Sequence, residues 1–277
     1  MSEVQVLSSG HGLVESVRWH EGRVWFADWF AQQILALDSN GNAEVMAQLD
    51  YMPSCFDWLP DGRLIVTGPS GLLTLDGAAT VQPHADLSGI SPFGWNDIVV
   101  DSHGNVYANN IGFDFPGGEF KPGCVALVRP DGKAEQVADG LAFPNGMAVT
   151  ADGSTLIVAE SYAFALTAFD IADDGSLSNR RLWASLGEGV APDGICIGAD
   201  DSVWFATVPG ERCVRVAEGG AVLQTVEMDR GCFDCALGGD DGSTLYLVGA
   251  AWGGTDGIGG MAGSGQVQAL ELRRNIS

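Results

Sequence analysis

Basic residues are scarce in this chain. Thirteen lysines and arginines stand against 36 aspartates and glutamates, a formal charge of −23 over 277 residues. Nucleic acid demands a basic face to meet its phosphates, and anionic lipid demands the same, so neither is expected as a partner. Most of the charge reads as solvated surface, although an acidic chain also suits cations. Long apolar runs are missing too, and nothing reaches the roughly 20 residues of a membrane span. The N-terminal "MSEVQVLSSGHGLVES" has no basic segment ahead of an apolar one, so no signal peptide is expected. The four histidines (His11, His20, His84 and His103) are not spaced as metal ligands. Six scattered cysteines do not suggest a disulfide framework in a chain this large. Cys232 and Cys235 have redox or zinc spacing, but with no second pair or histidine partner they read as two small strand residues. A cytoplasmic protein is the simplest expectation.

Turns, by contrast, are plentiful: 39 glycines and 11 prolines accompany a 46% hydrophobic content, enough for a substantial core. One pattern of strand, turn and strand recurs along the chain, from "ESVRWHEGRVWFAD" (15–28) to "DCALGGDDGSTLYLVG" (234–249). Its turn falls at Gly22, Gly62, Gly104, Gly153, Asp201 and Gly242, with separations of 40, 42, 49, 48 and 41 residues. A weaker hairpin follows in each unit, as in "CVALVRPDGKAEQVADG" (124–140). Asp-Gly and Asn-Gly turns between alternating apolar residues signal hairpins, and no helical period is sustained. Four short strands per unit of 40 to 50 residues, six times over, predict an all-β fold: a six-bladed β-propeller with four antiparallel strands per blade. The whole of 1–277 is read as a single domain. "EVQVLSS" (3–9) and "GQVQALELR" (265–273) remain over, and their pairing would close the ring and remove its open edges.

In such a ring the innermost strands converge. Counting back seven residues from the residue before each turn position gives Ser54, Asn96, Asn145, Asp193 and Asp234, and Glu15 once one loop residue is deleted. Turn preference accounts for two or three such residues, whereas all six are polar and able to present oxygen. Carboxylates converging in a low-dielectric channel repel unless protonated or neutralised by a cation. Amide and carboxylate oxygens suit one hard divalent cation, Ca²⁺ first, with Mg²⁺, Mn²⁺ or Zn²⁺ as alternatives. Asn145, between Pro144 and Gly146, is therefore read as a ligand and not as a turn former.

Here the chain resembles the SMP-30/gluconolactonase family, the regucalcin-like proteins. The likeness is carried by "LVESVRWHEGRVWFAD", "NDIVVDSHGNVY", "PNGMAVTADGSTLIVAES" and "PDGICIGADDSVWFA", in order and covering essentially the whole chain. It implies that Glu15, Asn145 and Asp193 are direct metal ligands, that Asn96 helps coordinate the metal or orient substrate, and that Asp193 is the general base. It also implies two departures. Gly94, followed by Trp95, stands where many members carry a substrate-binding arginine, so the pocket is expected to be more apolar. Asp234 stands where many relatives have a small neutral residue.

The expected function is a metal-dependent lactonase: the cation polarises the carbonyl, and water attacks with Asp193 as base. Alternatives are a metal-dependent phosphotriesterase or other esterase, and a calcium-binding propeller without physiological catalysis. The partner is a small lactone or ester. Substrate contacts are expected from Trp95 and from the loop "NNIGFDFPGGEFKPG" (109–123), through Asn110, Phe113 and Phe115. Trp29, Phe30, Tyr162, Phe164 and Trp252 are further wall candidates, each equally explained by packing between blades. The glycine-rich 249–266 reads as a surface or lid loop.

Overall fold

In a computed structural model, residues 4–76 and 80–272 are described. Glu3 and Arg273, the outer ends of the two closing strands expected from sequence, lie outside the described residues. Six four-stranded antiparallel sheets follow one another along the chain, each beginning with its inner strand. These inner strands are Val14–His20, Phe56–Trp58, Trp95–Val100, Pro144–Val149, Pro192–Ile197 and Gly231–Gly238, in blades 1 to 6. Blade 6 is completed by Gln5–His11, which pairs antiparallel with Gly265–Glu271, so the two ends of the chain close the ring. This is a six-bladed β-propeller.

The repeated turn residue has a backbone cause. Gly22, Gly62, Gly104, Gly153 and Gly242 adopt φ between 68° and 85°, and Asp201 takes φ 59°. That left-handed region is open to glycine and tolerated by aspartate.

The core is divided. Six hydrophobic clusters of buried side chains each draw on two adjacent blades, one cluster per junction. A blade therefore buries its apolar surface only against its neighbours, which is why the ring has to close. At the junction of blades 5 and 6, Cys232 and Cys235 do not stand alone. Cys213 is buried in the same cluster, and Cys196 places its Sγ 3.7 Å from that of Cys235. All six cysteines are free thiols. The pairing of distant strands brought together what spacing along the chain kept apart. Among the described residues no helix is long and apolar enough to cross a membrane.

Candidate active site

Each site residue is aimed by a slip in strand register. Trp95 pairs with Asn110 but Ile98 with Ala108, so Asn96 and Asp97 together oppose one residue. The same slip lies between Pro144 and Met147 in blade 4 and between Pro192 and Ile195 in blade 5. Such a bulge turns a side chain away from the alternation of a flat strand. Asn96, Asn145 and Asp193 are the first residues inside their bulges, and Glu15 borders the equivalent slip in blade 1. These four line one cavity of about 510 Å³.

Blade 6 departs from the counting. Its slip falls between Cys232 and Asp234, one residue early, and Asp234 pairs with Val248. Phe233, not Asp234, then faces the large cavity. Asp234 is instead turned toward blade 1, where its Oδ2 accepts the Val17 N–H at 2.8 Å. The predicted ring thus has an aromatic ring at its sixth position. Ser54 precedes the short inner strand of blade 2 and lines a second, smaller space instead of the large cavity.

That smaller space, about 20 Å³ and enough for one water-sized occupant, is bordered by the residues one step further along the inner strands: Ser16, Cys55, Asp97, Gly146, Gly194 and Asp234. These residues join the blades. Ser16 accepts from the Phe56 N–H of blade 2 at 3.1 Å, Asp97 from the Met147 N–H of blade 4 at 2.7 Å, and Asp234 closes blade 6 on blade 1. Further down, Asp57 accepts the Val100 N–H of blade 3 at 2.9 Å. At the two remaining junctions glycine makes room, at Gly146 for the backbone of blade 5 and at Gly194 for the Asp234 side chain of blade 6. A Cβ on Gly146 would lie 2.5 Å from the Ile195 nitrogen, and one on Gly194 1.9 Å from Asp234 Oδ1. Asn145-Gly146 is accordingly no turn; it sits within a strand, with glycine required by the approach of blade 5.

Arg18 plugs the ring below. Its guanidinium reaches Asp234 at 3.1 Å and Asp97 at 3.7 Å, donates to Val17 O at 2.9 Å and to Cys55 Sγ at 3.3 Å. Burial pushes the carboxyls of Asp97 and Asp234 up, and Arg18 opposes that push.

The upper floor has no such partner. Burial raises the Glu15 carboxyl well above its ordinary range, and the carboxylates of Asp193, Asp234 and Asp97 raise it further. Burial pushes Asp193 up to about 8, against a hydrogen bond from Asn145 that lowers it. The amides are held in a chain: Asn96 Nδ2 lies 3.5 Å from Asn145 Oδ1, Asn145 Nδ2 donates to Ser161 Oγ at 3.4 Å, and Ser161 donates to Pro192 O at 2.7 Å. Among the described residues, no three His, Cys, Asp or Glu side chains form a metal-holding group. The set here is two carboxylates and two amides, oxygen donors that could hold a hard cation.

The remaining expected contacts divide. Phe115 lines the cavity, with Trp29, Tyr162, Phe164 and Trp252, while Phe30 does not. Phe113 stands behind, 5% exposed, its ring 6.1 Å from Phe115 and 5.8 Å from Phe143. Trp95 and Asn110 do not reach the cavity. Trp95 is 2% exposed in the core between blades 2 and 3. Asn110, fully buried, donates to Phe93 O at 2.9 Å and Gly94 O at 2.6 Å and accepts from Gly112 N at 2.9 Å, fastening the loop. Residues 255–261 of the glycine-rich segment form a 3₁₀ helix, and Thr255 and Met261 line the cavity. Phe143, Phe233 and Arg18 were missed by sequence reasoning. Arg18 alone carried a signal, as the one cation of the inner strand Val14–His20 apart from its histidine.

The SMP-30/Gluconolactonase/LRE-like family model matches residues 13–251. Regucalcin of Danio rerio is 33% identical over 165 residues, covering 56% of this chain and 54% of the relative, so the match spans about half the length of that protein. The 6-deoxy-6-sulfogluconolactonase of Pseudomonas putida is 26% identical over 240 residues, covering 85% of this chain and 81% of the relative. The crystal structure of a calcium-binding protein, regucalcin, from Agrobacterium tumefaciens superposes with a TM-score of 0.83 at 19% identity, covering 98% of this chain and 96% of that one, a likeness of fold. With a family match over most of its length, the chain belongs to the SMP-30/Gluconolactonase/LRE-like family.

Proposed function

We propose that this protein is a metal-dependent hydrolase that opens a lactone to its hydroxy acid. The observation that carries the reading is the cavity floor, where Glu15, Asn96, Asn145 and Asp193 from four blades present oxygen and amide groups under an apolar chamber. Both acids are pushed up by burial, and they ionise together only beside a positive charge that no side chain of the cavity supplies. One divalent cation held by these four residues meets that need, and an all-oxygen donor set suits Ca²⁺ best. The relatives support this reading: one is named a sulfogluconolactonase and another is described as a calcium-binding protein.

When bound, the cation would polarise the lactone carbonyl and stabilise the charge that develops on its oxygen. Asp193 takes a proton from the attacking water, whose oxygen forms the new bond to the carbonyl carbon. The ring C–O bond then breaks, and Asp193 returns its proton to the departing ring oxygen, which becomes the free hydroxyl. Ionisation of the new carboxylic acid releases the proton that a pH-stat counts. Asn96 and Asn145, fastened to each other and to Ser161, contribute neutral oxygens and so leave positive charge uncancelled at the floor.

The test is chelation followed by add-back of single divalent ions during a pH-stat screen of lactones, together with Asp193→Asn. Activity should vanish with chelator and return with one ion. Asp193→Asn should keep cation binding by calorimetry but lose about 10²–10⁴ in kcat. Full turnover by Asp193→Asn would remove the base assignment. Cation binding with no turnover of any lactone or phosphotriester would leave calcium binding as the function, as the regucalcin relative suggests.

A further inference from the structure

Above its floor, the cavity is mainly apolar, with the hydroxyls of Ser161, Tyr162 and Thr255 as its few polar side-chain groups and nothing cationic. Among its described lining residues there is no lysine, arginine or histidine. Its walls are Trp29, Phe115, Phe143, Tyr162, Phe233 and Trp252. The Ser161 hydroxyl is already committed to Pro192 O at 2.7 Å.

The wall is also preformed. Phe143 stands 4.7 Å from Tyr162 and 5.0 Å from Phe115, ring centre to ring centre, and Phe113 packs behind them. Phe143 and Phe164 hold φ of 60° and 53°, a conformation that bulky residues rarely adopt and that tends to persist at sites that use it. The sixth position of the inner ring, polar by counting, is the ring of Phe233.

We propose that the substrate is a lactone with an uncharged, apolar and preferably aromatic body, and that polyhydroxylated and anionic sugar lactones are poor substrates. This rests on the lactone-hydrolase reading. A sugar lactone would bring several hydroxyls against aromatic faces, and each buried hydroxyl left without a partner weakens binding about 5- to 150-fold. A sulfonate or phosphate would enter a chamber whose only charged side chains among the described lining residues, Glu15 and Asp193, are acids, neither of them a partner for an anion. An aromatic lactone instead places its reactive carbonyl at the floor and its ring in contact with the walls, in the offset or edge-on arrangements that aromatic pairs favour. The volume of about 510 Å³ is ordinary for a pocket that encloses a small ligand, roughly 300–1,000 Å³.

The experiment compares kcat/KM for dihydrocoumarin, glucono-δ-lactone and a 6-phosphorylated gluconolactone, with saturating Ca²⁺. Dihydrocoumarin should exceed glucono-δ-lactone by at least about tenfold, with the phosphorylated lactone lowest. Phe115→Ser, on the wall, should reduce dihydrocoumarin kcat/KM and narrow that ratio. A parallel calorimetric titration uses two analogues that are not opened, 2-tetralone and glucono-δ-lactam, and should show at least about tenfold tighter binding of the tetralone. Equal or better turnover of glucono-δ-lactone would overturn the substrate class and leave the hydrolase reading standing. No turnover of any lactone, with tetralone still preferred, would overturn the hydrolase reading and leave the ligand class. Preference for the lactam would overturn the proposal whichever way hydrolysis fell.

Discussion

Replacing Arg18 by methionine removes the only cation among the described residues in contact with Asp97 and Asp234 while keeping most of the buried stem. The side chains of Arg18, Asp97 and Asp234 are 21%, 13% and 5% exposed, so bulk water does not replace the guanidinium's charge. Deleting one partner of a buried charge network costs about 3–5 kcal/mol. Against a total stability of about 5–15 kcal/mol that is a severe loss. At about 2–4 °C per kcal/mol for a domain near this size, the melting temperature should fall by about 6–20 °C. The loss should also depend on pH in a known direction. Burial holds both carboxyls above their ordinary value, and without Arg18 they rise further. The folded variant then retains protons that the unfolded chain has released, so its stability falls as pH rises above about 4. Thermal melts of parent and Arg18→Met at pH 5 and pH 8 should therefore show the larger gap at pH 8. Adding Asp234→Asn, which keeps an acceptor for the Val17 N–H, should recover part of it. A variant that melts within about 2 °C of the parent at pH 8, or a gap unchanged between the two pH values, would refute the view that Arg18 balances these acids.

Two further outcomes follow from the same geometry. Gly194→Ala would place a Cβ 1.9 Å from Asp234 Oδ1 and drive that carboxylate from its bonds to Val17 N and Cys235 N at 2.8 and 2.7 Å. A loss of about 2–4 kcal/mol is expected by denaturant titration, while Gly89→Ala, with nothing within 4 Å, should change little; equal effects would show that blade contact is not the reason for glycine at 194. Asp193 is pushed up to about 8 and Glu15 moves the same way, so below about 4 both folded and unfolded chains are protonated, and from there to pH 8 the cation-free protein loses stability. A cation that replaces those protons should raise the melting temperature more at pH 8 than at pH 5, and an equal rise at both would mean that it binds elsewhere.

The glycine and aspartate turns at even intervals made the propeller readable, because each blade repeats one hairpin and a positive φ admits few residue types. The same regularity made Glu15, Asn96, Asn145 and Asp193 countable, and the structure brings these four to one floor. Regular counting erred where the repeat itself slipped. Asp234 holds the counted position, but the bulge in blade 6 falls one residue early, and Phe233 takes the place in the cavity wall. Trp95 looked like a contact because it adjoins Asn96, and Asn110 because it belongs to the loop 109–123. One faces the core between blades, and the other spends its amide on loop carbonyls.

The order of the chain by itself determined the number of blades, the closure by its two ends and four of the six counted members of the oxygen-rich ring, since all three depend on local turns and a period. Tertiary structure alone decided which side chain of each bulge faces the cavity, that Arg18 balances Asp97 and Asp234, and that the chamber above the floor is aromatic. Those outcomes depend on register between strands and on contacts between residues up to 217 positions apart, and a spacing rule along one strand carries no information about either.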